Sequence, residues 1–226
     1  LVFKSSTSFQ SKGDTSYHPF NPFDAGKVDK MTKIYFGGAF NPIHTGHLVV
    51  ARAIAEATGF SKVALVPTAQ PPHKPITADL AGSQHRLRMC QLVAHQDPLF
   101  EVENIELGRS GPSYTLDTVQ ELKRRGETEI TWLIGADMVQ ILPKWHQAME
   151  LLKEVRFVIA DRHGYEIDWS ALPAAFQSLR GQVVRAPMME ISASQIRQRV
   201  RERRSIRYLV PPEVEGYIAE HRLYEI

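Results

Sequence analysis

Two histidines three residues apart, His44 and His47, stand at the start of a helix that follows a glycine-rich turn, a combination suited to phosphate chemistry. The stretch reads Lys33-Ile-Tyr-Phe-Gly-Gly-Ala-Phe-Asn-Pro-Ile-His-Thr-Gly-His-Leu48. Ile34 to Phe36 is a short buried strand by pattern. Gly37 and Gly38 lack Cβ, which lets a ligand approach the main chain and permits φ > 0. Asn41-Pro42 is a turn signal. Thr45 sits where an N-cap belongs, ahead of the apolar-periodic run Leu48, Val49, Ala51, Ile54 and Ala55. Free N–H groups at such a helix start, together with its dipole, attract phosphate, and imidazoles flanking it can donate to phosphate oxygens. The competing reading is a turn that only packs. The stretch is neither G-x-G-x-x-G nor G-x-x-x-x-G-K-[ST], which argues against a dinucleotide fingerprint and a P-loop.

The elements that must position these groups follow from Lys33 onward, where strands and helices alternate as in a parallel sheet covered on both faces. Lys62–Val66 is a second strand. Pro67 to Pro75 is a proline-stiffened loop with one cation, Lys74. Residues 83–96 form a helix, with Arg86, Arg88 and Gln91 expected outward and Leu87, Cys90, Leu92 and Val93 inward. Phe100–Leu107 alternates with period two and predicts a half-buried strand. Ser113 opens a helix that Gly126 closes. Glu129–Ile134 predicts an interior strand running into Gly135-Ala-Asp137, and ligands lie beyond the carboxyl ends of such strands, which singles out Asp137. Leu142–His146 separates two short helices, Arg156–Ala160 is a strand followed by the loop 161–164, and 165–181 reads as surface structure. Gln182–Ala186 is the last strand. Ser192 with Gln195 forms a capping box, and a final helix spans about 211–221.

The totals set bounds. A chain of 226 residues with 43% hydrophobic and 23% charged residues and a net charge of +2 is ordinary globular composition. One cysteine, Cys90, excludes an internal disulfide framework and a cysteine-based zinc site. No run is apolar enough for a spanning helix, so the expectation is a cytoplasmic protein without membrane or nucleic-acid partners. Residues 1–30 read as a flexible leader or cloning remnant, with 31–226 as the functional domain.

Several strings then occur in a fixed order: His44-Thr-Gly-His47, Pro71-Pro-His-Lys74, Pro112-Ser-Tyr-Thr-Leu-Asp-Thr118, Gly135-Ala-Asp137, Leu142-Pro-Lys-Trp-His146 and Glu190-Ile-Ser-Ala-Ser-Gln-Ile-Arg197. Together they resemble the bacterial nicotinate-nucleotide adenylyltransferases, over nearly all of 33–226. The resemblance implies a Rossmann-like, doubly wound α/β sheet with a helical C-terminal part. It also implies transfer of AMP from ATP to nicotinate mononucleotide, giving nicotinate adenine dinucleotide and pyrophosphate on the way to NAD. Ala39 departs from a frequent Ser or Thr, Asn41 from a frequent Asp and Ser194 from Thr, and none of these removes a required group.

The acceptor phosphate is largely ionised at pH 7 and needs no general base. The resemblance assigns ATP to Gly37, Gly38, Ala39, Phe40, His44, Gly46, His47, Asp137, Ile191, Ser194 and Arg197. It assigns catalysis to His44, His47, Lys74 and Arg197, and nicotinate mononucleotide to Tyr114, Thr115, Trp145 and Lys74, with Trp145 stacking on the pyridine ring. No spacing suits a dedicated metal site, and Mg²⁺ is expected to arrive with ATP. Three other readings stay open: an acceptor such as nicotinamide mononucleotide, the related phosphopantetheine enzyme, and a non-catalytic nucleotide sensor or RNA-binding module using Arg197, Arg199, Arg201, Arg203, Arg204 and Arg207. Glu202 interrupts that arginine run, which fits a solvated helix face better. A homo-oligomer is left open.

Overall fold

Alternating side chains of six strands build two cores, one on each side of a single sheet. The computed structural model describes residues 32–72, 79–161 and 165–225. The expected leader, Lys74 and most of the loop 161–164 lie outside the described residues. The strands are β1 (Lys33–Gly38), β2 (Lys62–Pro67), β3 (Phe100–Val102), β4 (Thr131–Gly135), β5 (Arg156–Ala160) and β6 (Val183–Val184). They lie in the order β3-β2-β1-β4-β5-β6, and every neighbouring pair is parallel.

The helices are α1 (Thr45–Thr58), α2 (Ser83–Gln96), α3 (Thr115–Arg124), α4 (Ala136–Val139), α5 (Ala148–Glu154), α6 (Ala174–Gln177), α7 (Ala193–Arg201) and α8 (Pro212–Glu220). Ile34, Val63, Leu65, Leu133 and Val158 point to the face covered by α1, α2, α7 and α8. Tyr35, Ala64, Val66, Trp132, Ile134, Phe157 and Ile159 point to the face covered by α3, α5 and α6. Burial on both sides explains why these strands read as unbroken apolar runs. The arrangement is the expected doubly wound, Rossmann-like sheet with a helical C-terminal part.

Strand order reverses between β1 and β4, so their carboxyl ends leave a crevice where α/β sheets bind ligands. That end carries Gly37 and Gly38 from β1, the start of α1, and Asp137 just beyond β4.

Three expectations change. The strand from Phe100 stops at Val102, because Ile105–Gly108 turns into a 3-10 helix that carries Glu106 inward to 3% exposure. Residues 165–181 are not merely surface structure, since Leu172, Phe176 and Leu179 fill the second core. The last strand contracts to Val183–Val184, the only part that pairs with β5. Among the described residues no helix is long and apolar enough to cross a membrane.

Candidate active site

The first turn of α1 is held by a reciprocal contact between its two histidines. His44, not Thr45, is the N-cap, with extended φ/ψ of −144° and 165°. Its Nδ1 accepts the His47 backbone N–H at 3.4 Å, while His47 Nδ1 accepts the His44 N–H at 3.3 Å. This is a capping box in which both side chains are imidazoles. The rings stack at 3.6 Å with an interplanar angle of 23°. An Nδ1 that accepts cannot carry the proton, so in both rings the proton sits on Nε2. Burial pushes the His44 pKa down to about 4. His44 is therefore neutral, and in both rings the cap leaves the hydrogen on Nε2.

The remaining first-turn N–H groups are more occupied than expected. The Thr45 N–H donates to Leu209 O at 2.9 Å, and its hydroxyl donates to Tyr208 O at 3.0 Å. Among the described residues, that leaves Gly46 as the first-turn residue whose N–H has no acceptor. A Cβ on Gly46 would fall 3.1 Å from His44 Nδ1 and 3.4 Å from the Ile191 Cβ, so the glycine admits both the His44 ring and Ile191.

Gly37 and Gly38 serve packing rather than positive φ. Both lie in β1, where a Cβ would meet the Trp132 indole at 2.8 Å and the Phe40 ring at 3.1 Å. The left-handed residue is Phe40, at φ 44°. Its ring is buried and stands edge-on to His47 at 5.3 Å. Asn41 is a structural hub: its Nδ2 donates to Asp79 O, and its Oδ1 accepts from the Ala81 N–H and the Tyr224 hydroxyl. An aspartate there would hold those two donors equally well. The amide, however, supplies the donor that Asp79 O requires.

Arg197 reaches this turn from α7. Its Nη1 donates to Asn41 O at 2.8 Å, its Nε to Asp79 Oδ2 at 2.7 Å and its Nη2 to the exposed Ser194 hydroxyl at 3.4 Å. Ser192 caps α7, accepting the Gln195 N–H at 3.2 Å, but among the described residues the Gln195 side chain makes no return bond, so the expected capping box is only half formed. On the other side of the crevice, Asp137 is half-buried in α4, directly after β4. Tyr114 precedes Thr115 at the start of α3 and stacks on His146 at 4.2 Å and 21°. Trp145 is half-buried against the second core, in the link between Leu142–Lys144 and α5. The structure thus brings Gly46, His44, His47, Phe40, Ile191 and Arg197 together, and separately joins Tyr114 to the 145–146 loop through His146.

Two buried charged groups were missed. Arg86, expected outward, is 1% exposed, and its guanidinium donates to four backbone carbonyls, Ala39, Thr68, Ala69 and Ala81. The signal was present in the helix period, since Arg86 falls on one stripe with the buried Met89, Cys90 and Val93 at i+3, i+4 and i+7. Burial lowers its pKa from the ordinary value, while Tyr224, Cys90 and Glu106 act in the opposite sense. Burial also raises the Glu106 carboxyl to about 7, against the Thr118 hydroxyl bond at 2.8 Å and the nearby Arg109 charge. Its burial follows from the 3-10 turn at Ile105–Gly108, where strand alternation no longer applies.

Comparison with known proteins follows the same line. Residues 35–199 match the family described as Cytidylyltransferase-like. A probable nicotinate-nucleotide adenylyltransferase of Bacillus pumilus is 41% identical over 199 residues, covering 86% of this chain and 100% of that relative. The nicotinate-nucleotide adenylyltransferase of Bacillus subtilis is 37% identical over 197 residues, with the same coverage of 86% and 100%. Among solved structures, Plasmodium falciparum nicotinic acid mononucleotide adenylyltransferase complexed with NaAD matches with a TM-score of 0.70, over 87% of this chain and 98% of that one, at 19% identity. At that identity the likeness speaks for the fold alone.

The cap makes stability depend on pH. Unfolded, His44 takes a proton near pH 6.5, whereas the folded chain refuses it down to about 4. The resulting stabilisation is complete above pH 6.5 and is lost as pH falls toward 4, amounting to about 3 kcal/mol. Urea unfolding at pH 7 and pH 4.5 should show a steeper loss for the parent than for His44→Asn, which keeps a capping acceptor without a titrating ring. Parallel losses in the two proteins would refute the burial argument.

Proposed function

The chain belongs to the cytidylyltransferase-like family, and within it to the nicotinate-nucleotide adenylyltransferases, and from that membership we infer that it transfers AMP from ATP to nicotinate mononucleotide. The products are nicotinate adenine dinucleotide and pyrophosphate, a step of NAD biosynthesis. The observation that carries this reading to the atoms is the reciprocal His44–His47 cap, set at the carboxyl end of β1 where strand order reverses.

The acceptor's phosphate oxygen forms a bond to the α-phosphorus of ATP as the α–β bridging P–O bond breaks and its electrons leave with pyrophosphate. No proton need be removed from the nucleophile. Two tasks remain, alignment of two anions and stabilisation of charge on the leaving group. In our assignment the His44 and His47 Nε2–H groups and the Gly46 N–H meet the phosphate oxygens, and these bonds strengthen as charge develops. Arg197 meets the outer phosphates with its planar fork, and Lys74 keeps the phosphate-binding role expected of it. Asp137 accepts from the ribose. Tyr114, Thr115 and Trp145 receive the nicotinate nucleotide, and the Tyr114–His146 stack supports that grouping by tying the two segments together.

We take the divalent ion to be Mg²⁺ entering as part of the ATP substrate, holding mostly water and phosphate oxygens. Among the described residues no group of three or more His, Cys, Asp or Glu is placed to hold a metal ion. The proposal keeps the cytoplasm as the compartment.

Pyrophosphate release with Mg²⁺-ATP should be fastest with nicotinate mononucleotide. Preference for nicotinamide mononucleotide would overturn the acceptor assignment, and turnover only with phosphopantetheine would move the chain to another branch of the family.

Arg197 also implies a competition. Asp79 holds its Nε at 2.7 Å, so the ATP phosphates must compete with a carboxylate for the same guanidinium. A partly exposed pair of this kind is worth about 1 kcal/mol. Asp79→Asn should therefore lower the KM for ATP about fivefold with little change in kcat. A raised KM would instead mean that Asp79 orients Arg197 for binding.

A further inference from the structure

We propose that Arg86 is a positioning residue for the reaction, setting through backbone carbonyls the direction of peptide N–H groups in both the phosphate turn at Ala39–Asn41 and the acceptor loop, Thr68–Gln70, which holds the start of α3. The inference rests on the adenylyl-transfer reading above and extends it to a residue that touches neither substrate.

The geometry is specific. Nη1 donates to Ala39 O at 2.7 Å and to Thr68 O at 2.5 Å, Nη2 to Ala69 O at 3.0 Å and Nε to Ala81 O at 2.9 Å. Four of the five guanidinium N–H bonds are thereby spent on main-chain oxygens, and among the described residues none goes to a carboxylate. A cation at 1% exposure that is met only by carbonyls is expensive to bury. Holding the fold alone would be served as well by an apolar side chain, since the stripe around it is apolar at Met89, Cys90 and Val93.

What the fork does is turn peptides. In a trans peptide the N–H points opposite to the preceding C=O. Arg86 holds Thr68 O and Ala69 O, and the N–H groups that follow, those of Ala69 and Gln70, both donate to Ser113 Oγ at 3.1 and 3.2 Å. Ser113 is the residue before Tyr114 and Thr115, and its own N–H returns to Gln70 O at 2.9 Å. The start of α3, with Tyr114 and Thr115, is thus positioned by two peptides that Arg86 orients.

The same rule applies at Ala39. With Ala39 O drawn to Arg86, the Phe40 N–H faces away from α2, where a phosphate oxygen can take it. Phe40 sits at φ 44°, a conformation that bulky residues rarely adopt without restraint. It is bracketed by two arginines, Arg86 on Ala39 O and Arg197 on Asn41 O. The turn and the loop are further joined where the Thr68 N–H donates to Gly38 O at 2.9 Å. One buried guanidinium therefore registers the ATP turn against the acceptor loop, which is the alignment that in-line transfer demands.

The test compares the parent with Arg86→Lys, which keeps the charge but lacks the planar fork, and with Arg86→Ala, assayed with and without millimolar guanidinium ion. Rates are expressed per folded molecule by circular dichroism. A misaligned pair of substrates should lower kcat about 100-fold while leaving both KM values within about threefold. Guanidinium, but not ammonium, should restore part of the Arg86→Ala rate saturably. If Arg86→Ala does not fold, the Arg86→Lys kcat and KM values decide alone. A folded variant with the parent's kcat, or a loss confined to KM, overturns the proposal and leaves Arg86 as a packing residue. A parent that does not turn over nicotinate mononucleotide overturns the adenylyl-transfer reading first, and this inference with it.

Discussion

Each of the two imidazoles accepts the backbone N–H of the other, and the chemistry of this site follows from that mutual constraint. A serine or aspartate cap would satisfy the helix start equally well but would carry no second ring nitrogen to donate. Histidine has a nitrogen for each task, Nδ1 for the helix and, in the proposed reaction, Nε2 for a phosphate oxygen. The stacking of the rings at 3.6 Å also limits how either can rotate, so the donors are preorganised before substrate arrives. Burial keeps His44 neutral, which removes a fixed positive charge that would bind ATP and pyrophosphate alike. Neutral donors gain strength as charge moves to the leaving group, which is the differential binding that catalysis requires.

The surroundings serve this arrangement. The helical C-terminal part closes over the turn from the far side. Leu209 and Tyr208 carbonyls hold Thr45, the Tyr224 hydroxyl holds Asn41 Oδ1, and Arg197 holds the Asn41 carbonyl. From below, Arg86 holds Ala39. The phosphate turn is thus clamped by α2 and by the C-terminal part, and the sheet supplies only the platform. A Rossmann-like order alone does not make a nucleotidyltransferase, because the groups that matter come from helices and loops around the switch point.

Much of this was legible in the sequence, for identifiable reasons. Strands buried on both faces give apolar runs that need no long-range information, so β1, β2, β4 and β5 were found within a residue or two. Helix α2 was bounded correctly at Ser83 and Gln96. The histidine pair announced the site through residue type and spacing. The errors lie where a side chain defies its usual preference. Thr45 was favoured as the cap because hydroxyls usually cap, but the His44 ring nitrogen took that place. Arg86 was sent outward because charges usually are, although the helix period put it on the buried stripe. Glu106 broke an alternating pattern by entering a 3-10 turn, and only tertiary packing decides such a break. Gly37 and Gly38 were read as room for a ligand, whereas Trp132 and Phe40 fill the space beside them.

The most direct test of the account is the protonation pattern of the four ring nitrogens of His44 and His47, read by long-range proton–nitrogen NMR at pH 7. The account predicts that in both rings Nδ1 is an unprotonated acceptor and Nε2 carries the hydrogen. A proton on Nδ1 of either ring would contradict it, because the reciprocal cap and the Nε2–H donors of the proposed reaction would then be lost together.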